Sequence, residues 1–241
     1  MSTASIPKHS PSIEALQRTD ELVLAGRLAL ELMHEINNPL DALGNLTYLA
    51  MQELDDGDQV QIYLQQIQEQ VTTLKRIVSQ TLGLAKSSPV LKKERLKELA
   101  QAALRIHGKA IKSRRIHLVP EIPEELSAEV RAGQILQVLS NLTANALDAL
   151  PEAGTLRLRV RKTSNSVHIL VADNGQGIPV EHSASIFEPF FTTKQGRGTG
   201  LGLHISKKII EGHQGKIQMR SSVREGKSGT TFRVSLPTLH S

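Results

Sequence analysis

Residues 167–179 read Val-His-Ile-Leu-Val-Ala-Asp-Asn-Gly-Gln-Gly-Ile-Pro. The nearly continuous apolar run from Val167 to Ala172 predicts a strand inside a sheet, where little polar alternation survives. The strand ends on a carboxylate, Asp173, and then on a turn holding Gly175 and Gly177. A carboxylate at a strand end can accept a hydrogen bond from an adenine amino group. The glycines would let the backbone approach a flat base without a Cβ in the way. An Asp-Asn-Gly turn is also a common way to end a strand, so the stretch alone leaves both readings open.

The surrounding pattern supplies the sheet. Thr155 to Lys162 (TLRLRVRK) alternates as a half-buried strand, and Ile116–Glu121, Lys216–Ser221 and Thr231–Ser235 read as further strands. Leu96–His107, Gly133–Leu150 and Leu203–Gly212 read as helices, and Val90–Glu94 as a short strand. This order predicts an α/β sandwich over residues 87–241, with helices covering one face of a mixed sheet.

Two further clusters flank the decisive stretch. Asn141 and Asn145 lie four apart and share one helix face. An amide oxygen can ligate Mg2+, although polar residues on an amphipathic helix also simply face water. Downstream, Gly196-Arg-Gly198-Thr-Gly200-Leu-Gly202 opens a helix, so main-chain N–H groups and the helix N-terminus can meet phosphate. The run is neither a Walker loop nor a Rossmann fingerprint: Gly226-Lys-Ser has Ser221 where the first Walker glycine belongs, and G-x-G-x-x-G spacing is not met.

The N-terminal part obeys different rules. Val60, Leu64, Ile67, Val71, Leu74, Val78 and a weaker Thr81 alternate spacings of four and three, a heptad seam. A preceding stripe of Ala25, Ala29, Leu32, Ile36, Leu40 and Leu43 predicts a first helix from Ser12 or Asp20 to Leu54, with Asp55-Asp-Gly-Asp58 as the turn. Residues 20–86 are thus a helical hairpin, after a polar extension over 1–19 and before a hinge at Lys86–Pro89. One hairpin cannot bury both seams, so pairing into a homodimeric four-helix bundle is expected.

On the first helix lies Met33-His34-Glu35-Ile36-Asn37-Asn38-Pro39-Leu40. His34 is about 200° around the helix from Leu32 and from Ile36, hence off the apolar stripe. Glu35 could take a proton from one imidazole nitrogen and leave the other to attack phosphorus. Asn38 stacks one turn on, and Pro39 is expected to bend the helix. The zinc-protease pattern H-E-x-x-H fails because Asn38 stands at the second histidine.

Composition closes off other classes. There are no cysteines, which excludes disulfides, thiol catalysis and Cys-ligated metals. No apolar run is long enough to cross a bilayer and the N-terminus lacks a signal-peptide core, so a soluble, cytoplasmic chain without membrane insertion is expected. The formal charge is +5, but Lys and Arg read as spread along the chain without an RNA-binding or zinc-finger pattern, so no nucleic-acid partner is expected.

In order and spacing, these clusters resemble the ATP-binding domain shared by histidine kinases, ATP-driven chaperones and mismatch-repair ATPases. Ile186-Phe-Glu-Pro-Phe-Phe-Thr-Thr-Lys194 resembles the phenylalanine box of histidine kinases, and residues 33–40 resemble their histidine box in its nitrogen-regulation-type form. The resemblance implies a sensor histidine kinase core using ATP and Mg2+. His34 would be the phosphoacceptor, Glu35 the general base, and Asn38 the residue supporting dephosphorylation of a partner. Asn145 would ligate Mg2+ with help from Asn141, Asp173 would read adenine, and Gly175 and Gly177 would shape the pocket. Residues 192–200 would form a mobile lid. Thr192, Lys194, Gly198, Thr199, Gly200, Leu201 and Gly202 complete the cofactor-binding set. The implied partners are the receiver domain of a response regulator, a second copy of the chain, and a separate sensor domain or protein. His204 and Arg131 depart from the family pattern, His204 at a position usually small and Arg131 near one commonly acidic. The rival readings are a nucleotide-binding pseudokinase or scaffold, and a serine kinase of the anti-sigma type.

Overall fold

A computed structural model describes residues 13–82, 90–194 and 200–238. The chain divides into two compact units, the first ending at Ile77 and the second beginning at Val78. The expected hinge at Lys86–Pro89 lies outside the described residues, as do Gly196, Gly198 and Thr199.

The first unit holds the hairpin of α1 (Ile13–Gln52) and α2 (Gly57–Leu82), except for the last residues of α2, which from Val78 on fall in the second unit. The helix α1 runs on through Pro39, so the proline does not end it. Asp56 starts α2: its carboxylate accepts the N–H of Gln59 at 3.1 Å while its carbonyl accepts that of Val60 at 3.0 Å. The Tyr63 hydroxyl donates to Glu53 across the turn at 3.2 Å. Of the seam and stripe residues, Leu40, Leu64 and Val71 are exposed and Ile36, Leu43, Val60, Ile67 and Leu74 half-buried, so the seam is only partly covered within one chain.

The second unit contains β1 (Lys92–Arg95), α3 (Leu96–Ile106), α4 (Gly108–Ser113), β2 (His117–Glu121), β3 (Ser127–Val130), α5 (Ala132–Ala149), β4 (Thr155–Lys162), β5 (Ser166–Asp173), α6 (Gly202–Glu211), β6 (Lys216–Ser222) and β7 (Gly229–Pro237). The main sheet has the order β2-β4-β5-β7-β6, with β2 parallel to β4 and every other pairing antiparallel. Strands β1 and β3 form a separate antiparallel ribbon. The helix α4, β3 and a short 3-10 turn at Val180–His182 escape the sequence pattern because each is too short to show a period.

One face of the sheet is the core. Leu156, Leu158 and Val160 of β4 stand beside Val171 and Ile169 of β5, and those beside Phe232 and Val234 of β7, all buried. The helix α5 lays Ile135, Val138, Leu139, Leu142 and Ala146 into this core and packs against α3, α6 and β5. Its C-terminal carbonyls are held from outside the helix: the Arg114 guanidinium donates to the carbonyls of Leu147 and Leu150.

The other face gathers basic residues that look dispersed in the sequence. Arg157, Arg159 and Arg161 alternate along β4, and Arg233, Arg220 and Lys216 follow on β7 and β6 at matching register. Glu121 meets Arg159 at 2.6 Å and Arg157 at 3.5 Å. The Arg159 hydrogen bond is the main reason its carboxyl is held below the usual range.

His213 closes the end of α6. Its Nδ1 hydrogen-bonds the Ile209 carbonyl at 2.7 Å, and its Nε2 accepts the N–H of Arg131 at the start of α5 at 3.1 Å. An acceptor role at Nε2 requires the neutral ring. Burial lowers the His213 pKa, the Ile209 bond opposes it, and the Arg131 charge lowers it further. The folded chain therefore binds this proton less readily than the unfolded chain. The contribution to stability is complete above about pH 6.5 and is lost as pH falls through that value towards the lower folded one. Urea unfolding at about pH 8 and about pH 5.5 is expected to show lower stability at the acid value, with a smaller difference in His213→Gln.

Candidate nucleotide site

The site is built where β5 ends beside the middle and end of α5. The Asp173 carboxylate is half-buried, and its Oδ1 accepts the N–H of Gly175 at 2.9 Å and that of Thr230 on β7 at 3.2 Å. Burial raises its pKa, and the two main-chain bonds oppose that rise. With Oδ1 engaged on protein, Oδ2 is the oxygen left to read a ligand donor.

The glycines that follow are crowded by the protein's own main chain. A Cβ on Gly175 would come within 2.4 Å of the Ala149 carbonyl oxygen at the end of α5. At Gly177, which has φ +80, it would come within 2.1 Å of the Ser222 carbonyl oxygen at the end of β6. Protein main chain by itself demands glycine at both positions. Two residues the sequence pattern does not single out fix the same turn. Asn174 Oδ1 accepts the N–H of Thr155 at 2.7 Å. Ser221 Oγ accepts the N–H of Ile178 at 2.7 Å and donates to the Gly229 carbonyl at 2.9 Å.

On α5 the two asparagines part ways. Asn141 is buried, and its Nδ2 donates to the Gly202 carbonyl at 3.1 Å and contacts Ser206 Oγ at 3.4 Å. It therefore ties α5 to the first turn of α6. Asn145 is half-buried, and its Oδ1 accepts from Lys194 Nζ at 3.4 Å. The same ammonium pairs with Asp148, one turn further along, at 2.5 Å. Lys194 N donates to Thr192 Oγ1 at 3.1 Å, so Thr192 and Lys194 form one local turn. Nothing in the spacing of the sequence singles out Asp148.

The phenylalanine segment packs beneath α6. Phe187 lies edge-on to Phe232 of β7, with centroids 6.4 Å apart. His204 Nδ1 bonds the Phe187 carbonyl at 3.1 Å, which gives this departure from the family pattern a structural role. Gly200 has φ +62, and a Cβ there would lie 2.2 Å from the Phe190 carbonyl carbon. Leu201 is buried, and its carbonyl accepts the N–H of Ile205 at 2.9 Å. Gly202 opens α6 with ordinary space around it: a Cβ there would lie 3.7 Å from Asn141 Cγ.

His34 is exposed on α1, as is Asn38 one turn on. The Glu35 side chain lies outside the described residues. Among the described residues no three His, Asp or Glu side chains gather as a metal centre. A cation arriving with a nucleotide needs only one or two protein oxygens. Asn145 and Asp148 already hold an ammonium, so their oxygens form a donor set that suits a cation.

With that geometry in view, likeness to known proteins is informative. The family described as "Histidine kinase-, DNA gyrase B-, and HSP90-like ATPase" matches residues 131–240, and "His Kinase A (phospho-acceptor) domain" matches residues 25–89. Sensor histidine kinase ZraS of Salmonella typhimurium is 33% identical over 234 residues, 96% of this chain and 50% of that protein. Sporulation kinase A of Bacillus subtilis is 31% identical over 235 residues, 96% of this chain and 38% of that protein. The solved catalytic domain of histidine kinase ThkA matches with a TM-score of 0.56 at 35% identity, covering 61% of this chain and 97% of that one. ThkA in complex with the response regulator protein TrrA matches with a TM-score of 0.74 at 29% identity, covering 96% and 68%. The chain belongs to the two-component histidine kinase family, with a phosphoacceptor domain followed by the family's ATPase domain. It spans about half or less of the length of the curated relatives it matches. No helix among the described residues is long and apolar enough to cross a membrane.

The glycines give a direct contrast. Gly177→Ala is expected to lower unfolding stability by about 2 kcal/mol or more, through a main-chain clash at positive φ. Gly202→Ala is expected to change it by less than about 1 kcal/mol. Denaturant titration of the two variants checks this.

Proposed function

We propose that this chain is the kinase core of a two-component system, which transfers the γ-phosphoryl group of ATP to His34 and then to an aspartate of a response regulator. The observation that carries the reading is the Asp173 carboxylate, fixed by Gly175 and Thr230 with one oxygen left to read adenine, in a chain that also exposes His34 on a helix. Asp173 selects the base by accepting from its amino group. The first turn of α6 offers main-chain N–H groups and a favourable partial charge to the phosphates. Asn145, with Asp148 beside it, would hold Mg2+, which when bound neutralises phosphate charge during transfer. An imidazole nitrogen of His34 attacks the γ-phosphorus as the bond to the ADP oxygen breaks, and Glu35 takes the proton from the other nitrogen. Asn38 would orient a water that attacks the regulator's phosphoaspartate, releasing inorganic phosphate and the free aspartate. Residues 20–86 form the dimerising phosphotransfer part and 87–241 the catalytic part, and the chain acts in the cytoplasm.

Incubation with γ-labelled ATP and Mg2+ tests this. Label that is acid-labile and alkali-stable is expected in the parent, absent in His34→Ala and greatly reduced in Asn145→Ala. Acid-stable label on a serine, or no label despite bound ATP, contradicts the reading.

The partly covered seam of the hairpin, with Leu40 and Leu64 both exposed, supports a homodimer that buries it. Leu40→Glu with Leu64→Glu is expected to shift the chain from dimer to monomer in light scattering, with the circular dichroism of the second unit retained.

A further inference from the structure

The ion pair between Lys194 and Asp148 lies against Asn145, the residue proposed to hold a nucleotide's cation. Lys194 Nζ lies 2.5 Å from Asp148 Oδ2 and 3.4 Å from Asn145 Oδ1. Asp148 and Asn145 are three apart on α5, so both project on the same side of the helix. The ammonium therefore rests against the amide oxygen that the divalent cation would need. We propose that Asp148 is a positioning residue for Lys194: in the nucleotide-free chain it holds the ammonium against Asn145, and phosphate must draw the lysine away from it. This rests on the reading of α5 and Lys194 as part of a nucleotide site.

Competing partners decide where the lysine goes. Asp148 and Lys194 are each partly exposed, 56% and 38% by side chain, so their attraction is screened. An exposed pair is worth roughly 0.2–1 kcal/mol, about a one-and-a-half to fivefold effect on an equilibrium. A polyphosphate carries more charge than one carboxylate and can displace it. Asp148 thus sets how readily Lys194 is released, and a divalent cation at Asn145 favours the same release by like-charge repulsion. The packing of α5 does not depend on the pair. Its core side is filled by Ile135, Val138, Leu139 and Leu142, and its end is held by Arg114.

A double-mutant cycle on ATP binding in EDTA, read by calorimetry without any phosphoryl transfer, separates the possibilities. In the Lys194 background, Asp148→Asn is expected to tighten metal-free ATP binding about two- to fivefold, because the lysine is released and one negative charge is gone. In the Lys194→Met background the same change is expected to have clearly less effect. Equal tightening in both backgrounds would mean that Asp148 acts on phosphate by its own charge, and would overturn the proposal. Equal loss of binding in both would mean a structural role, and would overturn it too. Asp148→Ser repeats the cycle with a smaller side chain should the asparagine variant unfold. Failure of the parent to bind ATP at all, with or without Mg2+, would instead remove the nucleotide reading on which this rests.

Discussion

The two main-chain hydrogen bonds to Asp173 Oδ1 hold the second unit's chemistry together. One comes from Gly175, just past the strand that carries the carboxylate, and the other from Thr230 at the start of β7. They fix the side chain to the turn after its own strand and to the neighbouring strand β7, so its other oxygen has a set direction before any ligand arrives. Burial works against the charged form, and bonds from main-chain N–H groups work for it. Burial is the larger influence, and the two bonds limit the rise that it causes.

Around that anchor, a series of close contacts leaves little freedom. Gly175 lies against the Ala149 main chain at the end of α5, and Gly177 against that of Ser222 at the end of β6. The carboxylate, the asparagine helix and the far edge of the sheet are thereby set at fixed separations. Asn141 extends the link from α5 to the carbonyl of Gly202 and to Ser206, so the helix that would face phosphate is aligned by the helix that would face metal. His204 ties the same helix to the phenylalanine segment through the Phe187 carbonyl.

Much of this is legible in the sequence. The long periods of α1, α2 and α5 and the alternation of β4 place elements within a few residues of those observed, because periodicity reports burial directly. What escapes is of two kinds. The helix α4, β3 and the 3-10 turn are too short to carry a period. Contacts between residues distant in sequence leave no local mark: Asp148 with Lys194, Ser221 with Ile178, and His213 with Arg131 are of this kind. The clustering of arginines on the open sheet face is hidden for a related reason. Along the chain they alternate with apolar residues, and only strand register brings Arg157, Arg220 and Arg233 onto one surface. The main-chain crowding that requires glycine at positions 175 and 177 is hidden for the same reason, since Ala149 and Ser222 are distant in sequence.

The claim that Asp173 reads an adenine amino group is tested most directly by comparing ATP and GTP binding in the parent and in Asp173→Asn. The parent is expected to prefer ATP by about tenfold or more, since a carboxylate meets a donor on adenine but the carbonyl oxygen of guanine. In Asp173→Asn, whose amide can donate as well as accept, that preference is expected to collapse while the fold persists. Equal binding of the two nucleotides by the parent, or an undiminished ATP preference in the variant, would contradict the account.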